Sequence, residues 1–170
     1  MKKFSLVFLS AILLVSGFFA GSVSSATAKE PVILVFDTMV GTTAGLTGAQ
    51  SQASLRGVSG GGLPWTLTSA HGELVANGTL KIQVKGLVLV AGANAGSNPS
   101  AVFRALVSCV TTDGSVQNIL TEAFPATTGP AAKGGGNSQF ETIVSLPQPC
   151  IAPIIFVTNN GGSWFAVTGN

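Results

Sequence analysis

Short segments in which apolar and polar residues alternate recur along this chain, and clusters rich in glycine, proline, asparagine and aspartate separate them. Alternation with a period of two is typical of β-strands that bury one face, and the clusters between them are typical of turns. The pattern therefore predicts an all-β protein. Strands are predicted over residues 31–36, 71–75, 80–85, 101–110, 139–146, 151–157 and 164–168.

The Asn-Gly dipeptide at 77–78 marks the clearest local structure, because it is the strongest short-range signal for a β-hairpin. A two-residue turn would set charged side chains opposite apolar ones in two successive pairs. A three-residue turn with its glycine in the left-handed conformation instead pairs Leu74 with Leu80. It also pairs Glu73 with Lys81, which satisfies the rules for cross-strand neighbours. We therefore predict the three-residue turn. Its register also sets His71 opposite Gln83, the next pair on the same side of the hairpin.

Residues 115–124 fit two structures. Val116, Ile119 and Leu120 have the spacing of a helix, whereas the segments on either side are all predicted strands. A strand is predicted here because it agrees with these neighbours. With it, short strands punctuated by turns favour a β-sandwich (Ig-like or Greek-key type) or a small barrel of about 7–9 short strands.

The N-terminus has the layout of a signal peptide. Lys2 and Lys3 precede a charge-free run whose apolar centre covers residues 4–20, and the run ends in small residues at 26–28. This order is typical of a bacterial Sec-type signal, and we expect cleavage after residue 28. An uncleaved transmembrane anchor is the alternative, since the run approaches the length that spans a bilayer. Removal of residues 1–28 would give a secreted protein of the extracellular space or cell envelope, with no stable membrane insertion.

The remaining chain is predicted to form one globular domain, residues 29–170. Within it, residues 29–62 contain a first strand and a flexible segment rich in glycine, serine and threonine, and residues 63–170 form the main β domain. Without Lys2 and Lys3, six basic and six acidic residues remain, so the formal net charge is zero. A neutral chain does not indicate nucleic acid as a partner.

Cys109 and Cys150 are the two cysteines of the chain. In the oxidising space that a secreted protein enters, an even number of cysteines is best interpreted as a disulfide framework. We therefore predict a Cys109–Cys150 bond. Closing a loop of roughly 40 residues contributes about 4 kcal/mol in the chain-entropy model.

No catalytic or metal-binding set can be identified from the spacing of residues. The Gly-x-Ser-x-Gly match at 57–61 lacks the strand-to-helix context of a nucleophile elbow. The single histidine, His71, and the scattered carboxylates do not combine into a metal site or an acid–base pair by sequence alone. We expect no cofactor and no metal.

Three residues are weak candidates for ligand contact: Trp65, Trp164 and His71. The two tryptophans lie beside glycines and fit either an exposed aromatic platform or the core of a β domain. His71 is expected to be exposed on its strand, opposite Gln83. The sequence favours a non-catalytic exported protein that acts at the cell surface or outside the cell as an interaction or structural component, with an extracellular protein or glycan as its partner. The alternative is a small secreted hydrolase using carboxylates or His71.

Overall fold

The computed structural model describes residues 29–43 and 54–168, and the structural statements below concern these residues. The predicted signal peptide lies outside them. The described chain is all-β: it contains thirteen strands and a three-residue 3-10 turn, Ala131–Lys133, and no α-helix. None of its segments forms a helix that could cross a membrane.

The strands are numbered in chain order. They are β1 (Val32–Phe36), β2 (Met39–Gly41), β3 (Trp65–Thr66), β4 (Ser69–Val75), β5 (Thr79–Lys85), β6 (Val88–Leu89), β7 (Ser97–Asn98), β8 (Val102–Val110), β9 (Val116–Pro125), β10 (Gly129–Pro130), β11 (Ser138–Ile143), β12 (Ile151–Thr158) and β13 (Trp164–Thr168). The range of about 7–9 strands was too low, because β2, β3, β6, β7 and β10 have only two or three residues. Pairings this short leave no alternation in the sequence.

The strands form two main sheets, and within both of them all pairings are antiparallel. The four-stranded sheet has the order β1-β4-β5-β11, and the five-stranded sheet has the order β2-β13-β12-β8-β9. Two short ribbons, β10-β7 and β3-β6, complete the described strands. The chain passes from the edge of one main sheet to the edge of the other between β1 and β2, through Asp37 and Thr38.

The two main sheets also approach each other at their other edges, β11 and β9. Ala126 and Ser138 form an isolated antiparallel bridge, and the Ser138 hydroxyl donates to the Pro125 carbonyl oxygen at 2.7 Å. A hydrogen bond from the Thr142 hydroxyl of β11 lowers the pKa of Glu122 in β9. Both pairs of edges are thus joined by the chain or by hydrogen bonds.

One buried cluster, here called the shared core, draws side chains from both main sheets. The four-stranded sheet contributes Phe36, Leu74, Leu80, Ile82, Val84 and Phe140, and the five-stranded sheet contributes Phe103, Ala105, Val107, Ile155, Val157 and Phe165. These residues occupy alternate positions of their strands, as the period-two pattern predicted. Each fully buried large apolar side chain contributes roughly 1.5–3 kcal/mol.

The predicted hairpin is confirmed in its register. Leu74 lies opposite Leu80 and Glu73 lies opposite Lys81. Gly78 has a φ of 91°, the left-handed conformation that the three-residue turn requires. Cross-strand pairing rules therefore predicted the correct alternative of the two.

Replacement of Gly78 by alanine is expected to destabilise the protein much more than replacement of Gly114. Both glycines have positive φ, 91° and 80°. A Cβ at Gly78 would collide with the Val144 carbonyl oxygen, whereas a Cβ at Gly114 would meet nothing within 4 Å. Gly114→Ala should cost about 1 kcal/mol from conformational strain alone, and Gly78→Ala should cost more because the hairpin must also move. Equal urea midpoints for the two variants would contradict this geometry.

Residues 116–125 form a strand, β9, which confirms the strand prediction for this segment. The preceding turn is fixed by Asp113, whose carboxylate accepts hydrogen bonds from the Thr111 hydroxyl and the Ser115 N–H. These bonds, that from Thr111 first, lower the pKa of Asp113 to about 2. Because β9 is a strand, its apolar residues with helical spacing are distributed over the two faces of that strand.

The predicted disulfide is confirmed. Cys109 in β8 is bonded to Cys150, which directly precedes β12. Cys109 is fully buried in the shared core, and Cys150 packs against that core. The bond thus joins the ends of two neighbouring strands of the five-stranded sheet.

Candidate functional site

The outward side of the four-stranded sheet carries a set of polar side chains, here called the polar face. His71 and Glu73 lie between buried residues of β4, so alternation points them away from the shared core. The strand pairings extend this pattern into two rows. One row contains His71, Gln83 and Gln139, the other contains Glu73, Lys81 and Glu141, and Asp37 follows the end of β1 beside them.

These side chains line a cavity of about 370 Å³. Backbone and apolar groups of β1, β4, β5 and β11 complete its lining, including Val35 and Phe36 of β1. A smaller cavity of about 260 Å³ adjoins it and shares Gln83 and Gln139. The polar face is therefore a shallow depression that crosses all four strands.

Gly72 explains how the sequence forms the floor of this depression. A Cβ at Gly72 would lie 2.7 Å from Cζ of Phe36 and would also collide with the Lys81 carbonyl oxygen. Glycine therefore lets the Phe36 ring pack closely against β4. Because Phe36 is buried beneath the sheet, the flanking polar side chains stand on a firm apolar base.

The polar face is acidic overall. It contains three carboxylates, those of Asp37, Glu73 and Glu141, and one ammonium group, that of Lys81. Lys81 Nζ lies 3.4 Å from Glu141 Oε1, the only ion pair found within residues 29–43 and 54–168. Both partners are exposed, so this pair contributes at most about 1 kcal/mol. Its main effect is to hold one acidic and one basic group together on adjacent strands.

His71 is exposed and lies opposite Gln83, as the hairpin register predicted. No hydrogen bond or ion pair within the described chain joins it to a carboxylate. No three His, Cys, Asp or Glu side chains among the described residues are grouped so that they could hold a metal ion. The polar face thus presents hydrogen-bonding and charged side chains.

Trp65 and Trp164 are buried, with 6% and 2% of their surfaces exposed. The Trp65 ring stacks on Phe165 at a centroid distance of 4.0 Å, and Trp164 lies 5.9 Å from Phe156. The possibility of exposed aromatic platforms was therefore wrong, and the core alternative is correct. One nearby glycine allows close packing: a Cβ at Gly61 would lie 2.8 Å from the Phe165 ring.

Gln139 is a member of the polar face that sequence reasoning missed. It reaches the site because β11 pairs with β5, and this sets Gln139 opposite Gln83. The two strands are separated by more than fifty residues, and no local signal specifies that pairing. Alternation within residues 139–146 showed only that Gln139 and Glu141 share one side of a strand.

No protein-family model, curated protein or solved structure matches this chain.

Proposed function

We propose that this chain acts after export as a non-catalytic interaction module whose polar face binds an extracellular protein. The observation that carries the proposal is the cavity of about 370 Å³ that crosses the outward side of the four-stranded sheet. Its side chains stand on hydrogen-bonded strands, which position a recognition surface more firmly than loops do.

The composition of this surface supports a protein partner. Two exposed apolar side chains lie on the same side of the sheet as the polar ones. Val35, which is 65% exposed, lies opposite Glu73, and Ile143, which is 77% exposed, lies opposite Thr79. Mixed apolar and polar surface is typical of interfaces between proteins that also exist separately. A protein partner is large enough to cover both the exposed apolar groups and the charges beside them.

A glycan is the less favoured partner class. Every Phe and Trp ring in the described part of the chain is buried or half-buried, so that part offers no exposed Phe or Trp ring on which a sugar could stack. The polar face could recognise hydroxyl groups only through its carboxylates and amides. A glycan array therefore serves as a counter-test: strong binding there would redirect the proposal from a protein to a sugar.

A small hydrolase is the second candidate, and one observation favours it. The same cavity is lined by His71 and by the carboxylates of Asp37, Glu73 and Glu141, which are groups that perform general acid–base catalysis. Turnover of nitrophenyl esters or glycosides that His71→Ala abolishes would support this candidate over the interaction module.

We further propose that the two main sheets form a β-sandwich and that the protein is secreted. The sandwich is supported by the shared core, to which both sheets contribute. Secretion is supported by the disulfide between Cys109 and Cys150, since such bonds persist in oxidising compartments. An N-terminal residue of Lys29 in protein recovered from the medium would agree with the expected cleavage.

Charge reversal on the polar face tests the proposed function. The folded protein, immobilised as bait, is compared with Glu73→Lys and with Glu30→Lys, which makes the same charge change outside the cavity. Glu73→Lys is expected to weaken partner binding by at least about tenfold, equivalent to roughly 1.4 kcal/mol, because it places a second cation beside Lys81. Glu30→Lys should bind like the unmodified protein.

Circular dichroism of both variants provides the folding control. If all three proteins captured the same partner with equal affinity, the polar face would not be the interface. Loss of binding in both variants would point to net charge rather than to this face.

A further inference from the structure

The side of the five-stranded sheet that faces away from the shared core is apolar. Residues from outside the sheet cover it. Leu106 in β8 lies between residues of the shared core, so it points to the other side of the sheet. It packs there with Phe156, Trp164 and Val167 in a second buried cluster. Val58 completes this cluster from outside the sheet.

Residues 54–62, here called the strap, supply that cover through few attachments. The Gly61 N–H donates to the Trp164 carbonyl oxygen at 2.7 Å, and the Trp164 N–H donates to the Ser59 carbonyl oxygen at 3.0 Å. Nearer the start of the strap, Arg56 Nη1 donates to the Ser108 carbonyl oxygen at 3.0 Å, and the Asn118 side-chain amide donates to the Arg56 carbonyl oxygen at 3.0 Å. Val58 is the one buried hydrophobic side chain of the strap. A short segment held in this way can detach while the sheets stay intact.

The strap also contains a strained residue. Arg56 has a φ of 51°, a left-handed conformation that is unfavourable for a side chain other than glycine. It occupies the turn that pairs Leu55 with Val58. Detachment would release this strain, which lowers the cost of opening the strap.

Two polar atoms on the covered side have no hydrogen-bond partner within the described chain. They are Nε1 of Trp164, whose side chain is 2% exposed, and Oγ of Ser108, which is fully buried. Buried polar groups are nearly always paired, so unpaired ones call for an explanation. Because an indole N–H can only donate, the group that would satisfy it is an acceptor.

We propose that the strap is displaceable and that the sheet surface beneath it binds an amphipathic small molecule with an apolar chain and a carboxylate. The apolar chain would replace Val58 against the second cluster. The carboxylate would accept a hydrogen bond from the Trp164 indole N–H. Arg104 lies on the same side of β8 as Leu106, and Thr158 pairs with both Arg104 and Trp164, so Arg104 supplies a cation beside this surface. Its guanidinium already donates to the Thr121 and Asn160 carbonyl oxygens.

The proposal makes two variants change affinity in opposite directions. A ligand that needs the open strap binds with an apparent Kd equal to its intrinsic Kd divided by the open fraction. Val58→Ala weakens the closed strap, so it should tighten binding severalfold. Trp164→Phe keeps an aromatic ring but removes the N–H, so it should weaken binding by about tenfold. Trp65→Phe removes the other indole N–H of the protein and serves as the matched control.

Isothermal titration of the folded, disulfide-bonded protein with dodecanoate tests this, with dodecanol as the neutral analogue. Dodecanoate is expected to bind, more tightly than dodecanol, with the order of affinity Val58→Ala, then unmodified protein and Trp65→Phe, then Trp164→Phe. Absence of binding to both the unmodified protein and Val58→Ala would overturn the proposal. Tighter binding to Trp164→Phe than to the unmodified protein would also overturn it.

Hydrogen exchange of the unmodified protein gives a second readout that requires no variant. If dodecanoate displaces the strap, it should accelerate exchange of the Gly61 N–H, which is bonded to Trp164 in the closed form. A ligand that binds elsewhere would leave this amide unchanged or protect it. Either of those two results would contradict displacement.

Discussion

Replacing both Cys109 and Cys150 with alanine is expected to lower the free energy of unfolding by about 4 kcal/mol. The two residues are 41 positions apart in the chain, and the bond restricts the unfolded chain over that distance. A loss of this size is a large share of the stability of a small domain.

Urea unfolding of the double variant, followed by circular dichroism, measures this loss. Reduction of the unmodified protein with dithiothreitol should produce the same shift in midpoint, because it opens the same loop without changing the packing of Cβ atoms. A shift corresponding to less than about 1 kcal/mol in both experiments would contradict the role given to the bond.

Trp164→Ala is expected to lower the free energy of unfolding by about 3–5 kcal/mol, the usual cost of removing a buried large aromatic side chain. Trp164 packs in the second cluster, beneath the strap, and removal of its side chain would leave a cavity between that cluster and the strap. The loss should therefore appear as a lower urea midpoint and as faster hydrogen exchange in the strap.

Ile143→Ala provides the contrast, because Ile143 is a large apolar residue that is 77% exposed. Its substitution should change stability by no more than about 0.5 kcal/mol. Similar small losses for both variants, together with loss of partner binding in Trp164→Ala, would restore Trp164 as an exposed contact residue.

The hairpin of β4 and β5 shows what the sequence was able to specify. Its turn, its register and the outward position of His71 all follow from one dipeptide and from pairing rules between residues close in sequence. The same reasoning predicted that Glu73 and Lys81 lie side by side. Half of the polar face was thus predictable from a segment of fifteen residues, 71–85.

The other half depends on contacts between distant segments. Glu141 and Gln139 join the polar face because β11 pairs with β5, and Asp37 joins it because β1 pairs with β4. Period-two alternation fixes which side of a strand a residue occupies but not which strand lies next to it. The composition of each strand was therefore predictable, whereas the assembled site was not.

The covering role of the strap and the environment of the tryptophans could not be predicted for a different reason. Residues 54–62 have no alternation, since their single buried hydrophobic side chain, Val58, is enough to cover the second cluster. Glycines beside Trp65 and Trp164 resemble those of exposed loops, but at Gly61 the glycine leaves room for the Phe165 ring. Sequence composition does not distinguish a glycine that permits flexibility from one that permits close packing.

The polar face and the strap lie on different sheets, with the shared core behind each of them. Variants can therefore separate the two proposals. Glu73→Lys should leave dodecanoate binding unchanged, and Val58→Ala should leave partner binding unchanged, because the substituted residues are distant from the other surface.

Site-specific photocrosslinking tests the role of the polar face most directly. A benzoylphenylalanine is placed at Gln83, in the centre of the polar face, or at Thr112, an exposed position in the turn between β8 and β9. After irradiation in culture medium, a discrete adduct is expected from Gln83 and not from Thr112. An adduct from Thr112 alone, or none from either position, would contradict an interface on this face.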